Sequence, residues 1–80
     1  MTREEAFEVV KSAVAAVVPD FDGEITQETH LTDEDVIDSL DSMNLLFELE
    51  EKLGKKLVKI DEDFEDYKVS TLVDIIVAAE

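Results

Sequence analysis

The chain contains no cysteine. That absence rules out a disulfide framework, a cysteine-based zinc site and a cysteine nucleophile. Cations are scarce as well. Seven Lys and Arg stand against 22 Asp and Glu, giving a formal net charge of −15. Binding DNA or RNA requires clustered cations to neutralise phosphates, so the balance argues against nucleic acid and against anionic membrane surfaces. It favours partners with basic patches, met through steered encounters that weaken as salt rises. No apolar run approaches the ~18 residues that would suggest a membrane span. The opening MTREEAFEVV has two Glu residues and no n-region, h-region or small-residue cleavage site, which predicts no secretory signal and a cytoplasmic protein.

Catalytic inventory is equally thin. The only histidine is His30, and no glycines form a nucleophile elbow around any serine. Serine catalysis therefore has no evident base, and His30 reads as an exposed or packing residue of a loop. Acid clusters at Asp20-Phe21-Asp22-Gly23 and Asp61-Glu62-Asp63 lack the calcium-loop pattern of Gly at the sixth and Glu at the twelfth position. No dedicated metal site is expected, and the chain does not read as an enzyme.

What the chain does have is helical periodicity. Hydrophobic residues make up 45% of its 80 positions, enough for the small core of one domain over residues 1–80. Residues 2–18 form a first helix. Thr2 and Glu5 make a capping box, and Phe7, Val10, Val14 and Val17 repeat at helical spacing beside Ala6 and Ala13. Pro19 ends it by disfavouring helical geometry at Val18. Residues 19–37 show no sustained period and read as a long loop, pinned by Phe21, Ile25, Leu31, Val36 and Ile37, with one capped turn over Thr32-Asp33-Glu34-Asp35.

Val36 to Leu53 is the stretch around which the rest should be organised, with a helix over 39–53 that Gly54 caps. Lys52, Lys55 and Lys56 sit favourably near the negative end of its dipole. Leu57 to Ile60 reads as extended, 61–66 as a short helix with Phe64 and Tyr67 facing inward, and 71–79 as a last helix capped by Ser70 or Thr71. Its Leu72, Val73, Ile75 and Ile76 are apolar. The fold class is all-α: a small four-helix bundle of three main helices plus one short one, with a long first loop.

Within the 39–53 helix, Leu45, Leu46, Leu49 and Leu53 lie on one side of a wheel of ~100° per residue and form a core stripe. Leu40, Met43 and Phe47 make a second stripe, with Glu50 between the two. Asp41, Asn44, Glu48 and Glu51 fill the polar arc. The second stripe is either a broadening of the buried face or a partner-docking surface flanked by acids that steer. At the helix mouth, either Asp38 or Ser39 satisfies a free backbone N–H as the N-cap.

Asp38-Ser39-Leu40-Asp41, followed by Leu45, Leu49-Glu50-Glu51 and Leu53, closely resembles the modification motif of acyl carrier proteins. The resemblance extends over nearly the whole chain: the acidic composition, the first helix, the long loop, the segment after Ile60-Asp61-Glu62-Asp63 and the Ser70-Thr71-Leu72 start of the last helix. It implies that Ser39 carries 4′-phosphopantetheine, delivered from coenzyme A by a phosphopantetheinyl transferase, and that Asp38 helps the transferase recognise the site. It implies an arm whose thiol holds acyl intermediates as thioesters for fatty acid or related lipid and polyketide synthesis. It also implies a monomer whose Leu40, Asp41, Met43, Phe47, Glu48 and Glu51 meet basic docking patches on acyl-transferring or condensing enzymes. A phosphodiester at that place would meet the positive end of the helix dipole and unpaired N–H groups. Asp35-Val36-Ile37 replaces the Leu-Gly pattern common in carriers of primary fatty acid synthesis; Asn44 replaces a common acid, and Lys52 interrupts a run of acids. The Val-Ile-Asp-Ser-Leu form resembles specialised carriers, including aminoacyl or peptidyl ones. From another class, an unmodified acidic helical adaptor for a basic partner fits the same composition.

Overall fold

The computed structural model describes residues 1–21, 23–57, 60 and 66–79, and at Ser39 the backbone. Three helices are present among them: α1 (Arg3–Val17), α2 (Ser39–Leu53) and α3 (Val69–Ala78). The described residues contain no strand, only an isolated antiparallel bridge between His30 and Lys68.

Helix α1 begins at the capping box. The Glu5 N–H donates to Thr2 Oγ1 at 3.1 Å and the Thr2 N–H to Glu5 Oε1 at 3.0 Å, so each residue satisfies an N–H that the helix cannot. The backbone N–H bond from Thr2, then its side-chain bond, hold the Glu5 carboxyl below its ordinary value. One face of α1 is deeply buried through Ala6, Val10, Ala13 and Val14, while Phe7 and Val17 are half-buried at its edges. Both α2 and α3 pack on α1. The hub of the molecule is therefore α1 rather than the Val36–Leu53 stretch. The small Ala6 and Ala13 side chains on its buried face suit a helix approached by neighbours on two sides.

The long loop is held down by its own hydrogen bonds. Glu34 donates to the carbonyl of His30, Asp35 to that of Thr32, and Val36 to that of Leu31 at 2.9 Å. With Asp35 in the left-handed region at φ 57, this is a Schellman motif, and its two apolar ends, Leu31 and Val36, are both buried. Ile37 is buried beside them and Ile25 is half-buried. Phe21 is not an anchor: its ring is exposed and lies across Gly23, where an added Cβ would stand 2.7 Å from the ring.

Helix α2 buries Leu45 and Leu49 and half-buries Leu46 and Leu53. It ends at Gly54, whose φ of 71 is the left-handed cap that a residue without Cβ adopts freely. The chain beyond is fastened from both sides. Glu50 Oε2 accepts the Leu57 N–H at 2.8 Å, and Lys55 Nζ donates to the Ala79 carbonyl at 2.9 Å. Ile60 donates its N–H to the Leu57 carbonyl at 3.0 Å, and both are buried; the two residues between them, where extended chain was expected, lie outside the described residues. The short helix expected at 61–66, with Phe64, lies outside the described residues apart from exposed Asp66; Tyr67 is buried.

Helix α3 starts at Val69, two residues before the expected Thr71, and its N-cap Lys68 makes no side-chain capping bond. The cap is tertiary. Val69 donates to the Thr29 carbonyl at 2.9 Å and Ser70 to that of Gln27 at 3.1 Å, while Leu31 donates to the Tyr67 carbonyl at 2.9 Å. Loop carbonyls thus accept the N–H groups that a side chain serves elsewhere. The earlier start also brings Val69 into the core with Leu72, Val73 and Ile76; Ile75 is half-buried. Arg3 adds a pair with Asp74 and donates to Gln27 Oε1 at 3.3 Å, tying the start of α1 to α3 and the loop.

Candidate functional site at the mouth of α2

The loop delivers the chain to α2 with its last two apolar residues anchored. Val36 and Ile37 are buried, and the Ile37 N–H donates to the Leu31 carbonyl at 3.0 Å. The next residue, Asp38, is exposed and extended (φ −105, ψ −174), and its Oδ1 accepts the N–H groups of Leu40 at 3.0 Å and Asp41 at 2.8 Å. Its carbonyl accepts the Ser42 N–H at 3.0 Å, closing the first turn. Asp38 is therefore the N-cap, and Ser39 is the first helical residue. The choice between two possible caps is decided in favour of the carboxylate, which also places negative charge at the positive end of the helix dipole.

One expectation is corrected here. An anion attached beside Asp38 does not find the N–H groups of Leu40 and Asp41 free, because the Asp38 carboxylate already binds both. Any dipole contribution to holding such a group acts alongside an existing charge.

The second stripe is outside the core. Leu40 is 79% exposed, Met43 53% and Phe47 65%, values far from those of Leu45 and Leu49, which are sealed. Asn44 and Glu51 are exposed with them, and Asp41 and Glu48 are half-buried along the flank. Glu50 faces neither partner nor solvent freely, since it is spent on the Leu57 N–H. Ser42, to which the sequence pattern assigned no role, is buried under the first turn. Nothing short of the packing reveals that, because a serine three residues into a helix is ordinarily solvent-facing.

His30 lies away from this constellation, half-buried in the loop. Its Nδ1 accepts the Asp33 N–H at 3.3 Å and is 3.7 Å from Asp33 Oδ2, and its Nε2 is 3.6 Å from Asp66 Oδ1. It joins the loop to the segment before α3, which is a packing role. Among the described residues no group of three or more His, Asp or Glu is arranged to hold a metal ion, and no helix is long and apolar enough to cross a membrane.

An acyl carrier protein from Thermotoga maritima is 37% identical to this chain over 75 residues, which cover 94% of this chain and 88% of that protein. The chain belongs to the acyl carrier protein family. No protein-family model matches it, and no solved structure does. Members of the family are carriers, not enzymes, and the family implies a phosphopantetheine prosthetic group. The residues on either side of Ser39, Asp38 and Leu40, are both exposed, and Asp38 provides the cap.

Proposed function

We propose that this chain carries acyl groups on a 4′-phosphopantetheine arm attached to Ser39 and presents them to biosynthetic enzymes of fatty acid or related lipid or polyketide synthesis. The observation that carries this reading is the division of labour at the mouth of α2. Asp38 closes the helix, Ser39 follows it between two exposed residues, and an exposed apolar stripe runs away from it along the same helix. When bound, the arm supplies a thiol that holds an acyl group as a thioester, a chemistry that a chain without cysteine cannot offer itself.

The chain's own residues do the rest. Asp38 fixes the helix start and offers the phosphopantetheinyl transferase a carboxylate beside the serine. Leu40, Met43 and Phe47 offer partner enzymes apolar contact, and Asp41, Glu48 and Glu51 attract their basic patches. In this reading residues 1–80 form one carrier domain with a short fourth helix over 61–66, acting as a cytoplasmic monomer. Asp35-Val36-Ile37, which replaces the Leu-Gly pattern common in carriers of primary metabolism, favours a specialised pathway and leaves an aminoacyl or peptidyl cargo as the second reading.

The test is intact-mass measurement after incubation with coenzyme A, magnesium and a broad-specificity phosphopantetheinyl transferase. The expected outcome is a gain of one phosphopantetheine in the parent and none in Ser39→Ala. No gain in the parent points to the unmodified acidic adaptor, and an equal gain in Ser39→Ala moves the attachment elsewhere.

A further inference from the structure

Charge along α2 is not uniform: acids run from its mouth through Glu48, Glu50 and Glu51, past the end of the exposed stripe, and lysines begin only at Lys52. No Lys or Arg occurs between Lys11 and Lys52. Upstream of Met43, residues 33–41 contribute Asp33, Glu34, Asp35, Asp38 and Asp41 and no Lys or Arg; residues 52–56 contribute Lys52, Lys55 and Lys56 and no acid. Lys52 and Lys56 are exposed and pair with no described residue, whereas Lys55 is held on the Ala79 carbonyl. The two ends belong to one surface. Phe47, the last member of the stripe, lines a shallow hollow with Glu50, Glu51, Gly54, Lys55 and Lys56, so the apolar path from Leu40 runs into the lysine end. Over the 15 residues of α2 its mouth and its lysine end stand roughly 20 Å apart, about two and a half Debye lengths at physiological salt, with Glu48, Glu50 and Glu51 between them. A partner therefore meets acids without Lys or Arg at the mouth and acids matched by lysines at the far end.

We propose that this face is read in one direction. It fits a protein surface that sets basic groups over the Asp38–Asp41 end, an apolar side chain in the hollow beside Phe47, and acidic groups over Lys52 and Lys56. The lysines act by cancelling attraction: they offset Glu48, Glu50 and Glu51, so a uniformly basic patch slid or turned along α2 loses attraction at the far end, and this loss holds the partner in the register that faces Ser39. The lysines expected to sit favourably at the negative end of the helix dipole divide here: Lys52 lies in the last turn, whereas Lys56 lies beyond the Gly54 cap, where the effect falls off. The inference rests on the reading of α2 as the docking face and adds its polarity.

The probe is a helical peptide of about fifteen residues, matching α2 in length, with arginines in one half, leucines at its centre and glutamates in the other half. It carries a spin label at one end or the other. Amide signals of the whole chain are followed at low salt. A label at the arginine end is expected to broaden residues 38–43 at least about threefold more than 51–56, and a label at the glutamate end to do the reverse. In Lys52→Glu/Lys56→Glu the preference collapses. Lys56→Glu alone, outside the helix, weakens it and keeps the test valid if the double variant loses helix. Equal broadening from both labels, no peptide binding, or a preference unchanged in both variants overturns the proposal. Ser39 loading is measured on the same samples. Loading without orientation removes this inference alone, and orientation without loading removes the attachment reading alone.

Discussion

The Asp38 carboxylate caps α2 and is proposed to be read by the transferase, and the two roles separate by substitution. Asp38→Ala removes both acceptor bonds to Leu40 and Asp41, and loss of such a cap costs about 1 kcal/mol, or roughly 5 °C in Tm for a domain of this size. Asp38→Asn keeps an oxygen acceptor and is expected to stay within a few tenths of a kcal/mol of the parent in urea unfolding. Both variants lose the charge that the transferase is proposed to read, so initial loading rates should fall in both. A fall confined to Asp38→Ala would assign the whole effect to the helix start. That Asp38 and Ser39 compete for one cap was legible from residue types. Which of them wins was not, because it depends on where the buried Val36 and Ile37 release the chain.

At the scale of elements, α2 is a rod with one sealed side, one open side and a defined stop. The stop is testable. An added Cβ at Gly54 meets nothing within 4 Å, so Gly54→Ala isolates the cost of holding a side chain at φ 71. Unfolding in urea should show a loss of about 1 kcal/mol. The open side and the sealed side give opposite outcomes. Met43→Glu should leave the far-UV helical signal intact and stability within about 0.5 kcal/mol, while impairing transfer to partner enzymes. Leu45→Ala, in the sealed stripe, should cost about 3 kcal/mol. Helical spacing made the existence of both stripes readable, and burial then separated them. The start of α3 was not readable in the same way. Ser70 and Thr71 look like caps by residue type, yet Gln27 and Thr29, some forty residues away, supply the acceptors and move the start to Val69. Local rules rank local candidates; they have no access to a carbonyl contributed by another part of the chain.

For the molecule as a whole, the dominant fact is a charge of −15 on 80 residues. Some acids are locally compensated: Asp74 by Arg3, Glu28 by Lys68 at 3.4 Å, Glu8 by Lys11 at 3.4 Å. These pairs are exposed and each contributes little. Asp33, Glu34, Asp35 and Asp38 crowd the approach to α2, and the His30 ring lies 3.7 Å from Asp33 Oδ2. Self-repulsion of this kind destabilises the compact state and is screened by ions. Raising salt from about 0.05 to 0.5 M should therefore raise Tm by a few degrees, and millimolar magnesium should act in the same direction. A flat response would mean that the acids are already far enough apart to ignore one another.

Amino-acid order alone determined the helical class, the capped starts and stops that depend on neighbouring residues, the core leucines and the acyl-carrier-like motif at the mouth of α2. Each of these follows from interactions within one or two helical turns or from the type of a single residue. The tertiary structure decided that α1 is the hub, that Asp38 rather than Ser39 closes α2, that α3 is capped by the loop, that Phe21 stays outside, and that Leu40, Met43 and Phe47 remain uncovered. Those outcomes depend on which distant segment arrives first at a given surface or hydrogen-bond acceptor, and periodicity within one element carries no record of that competition.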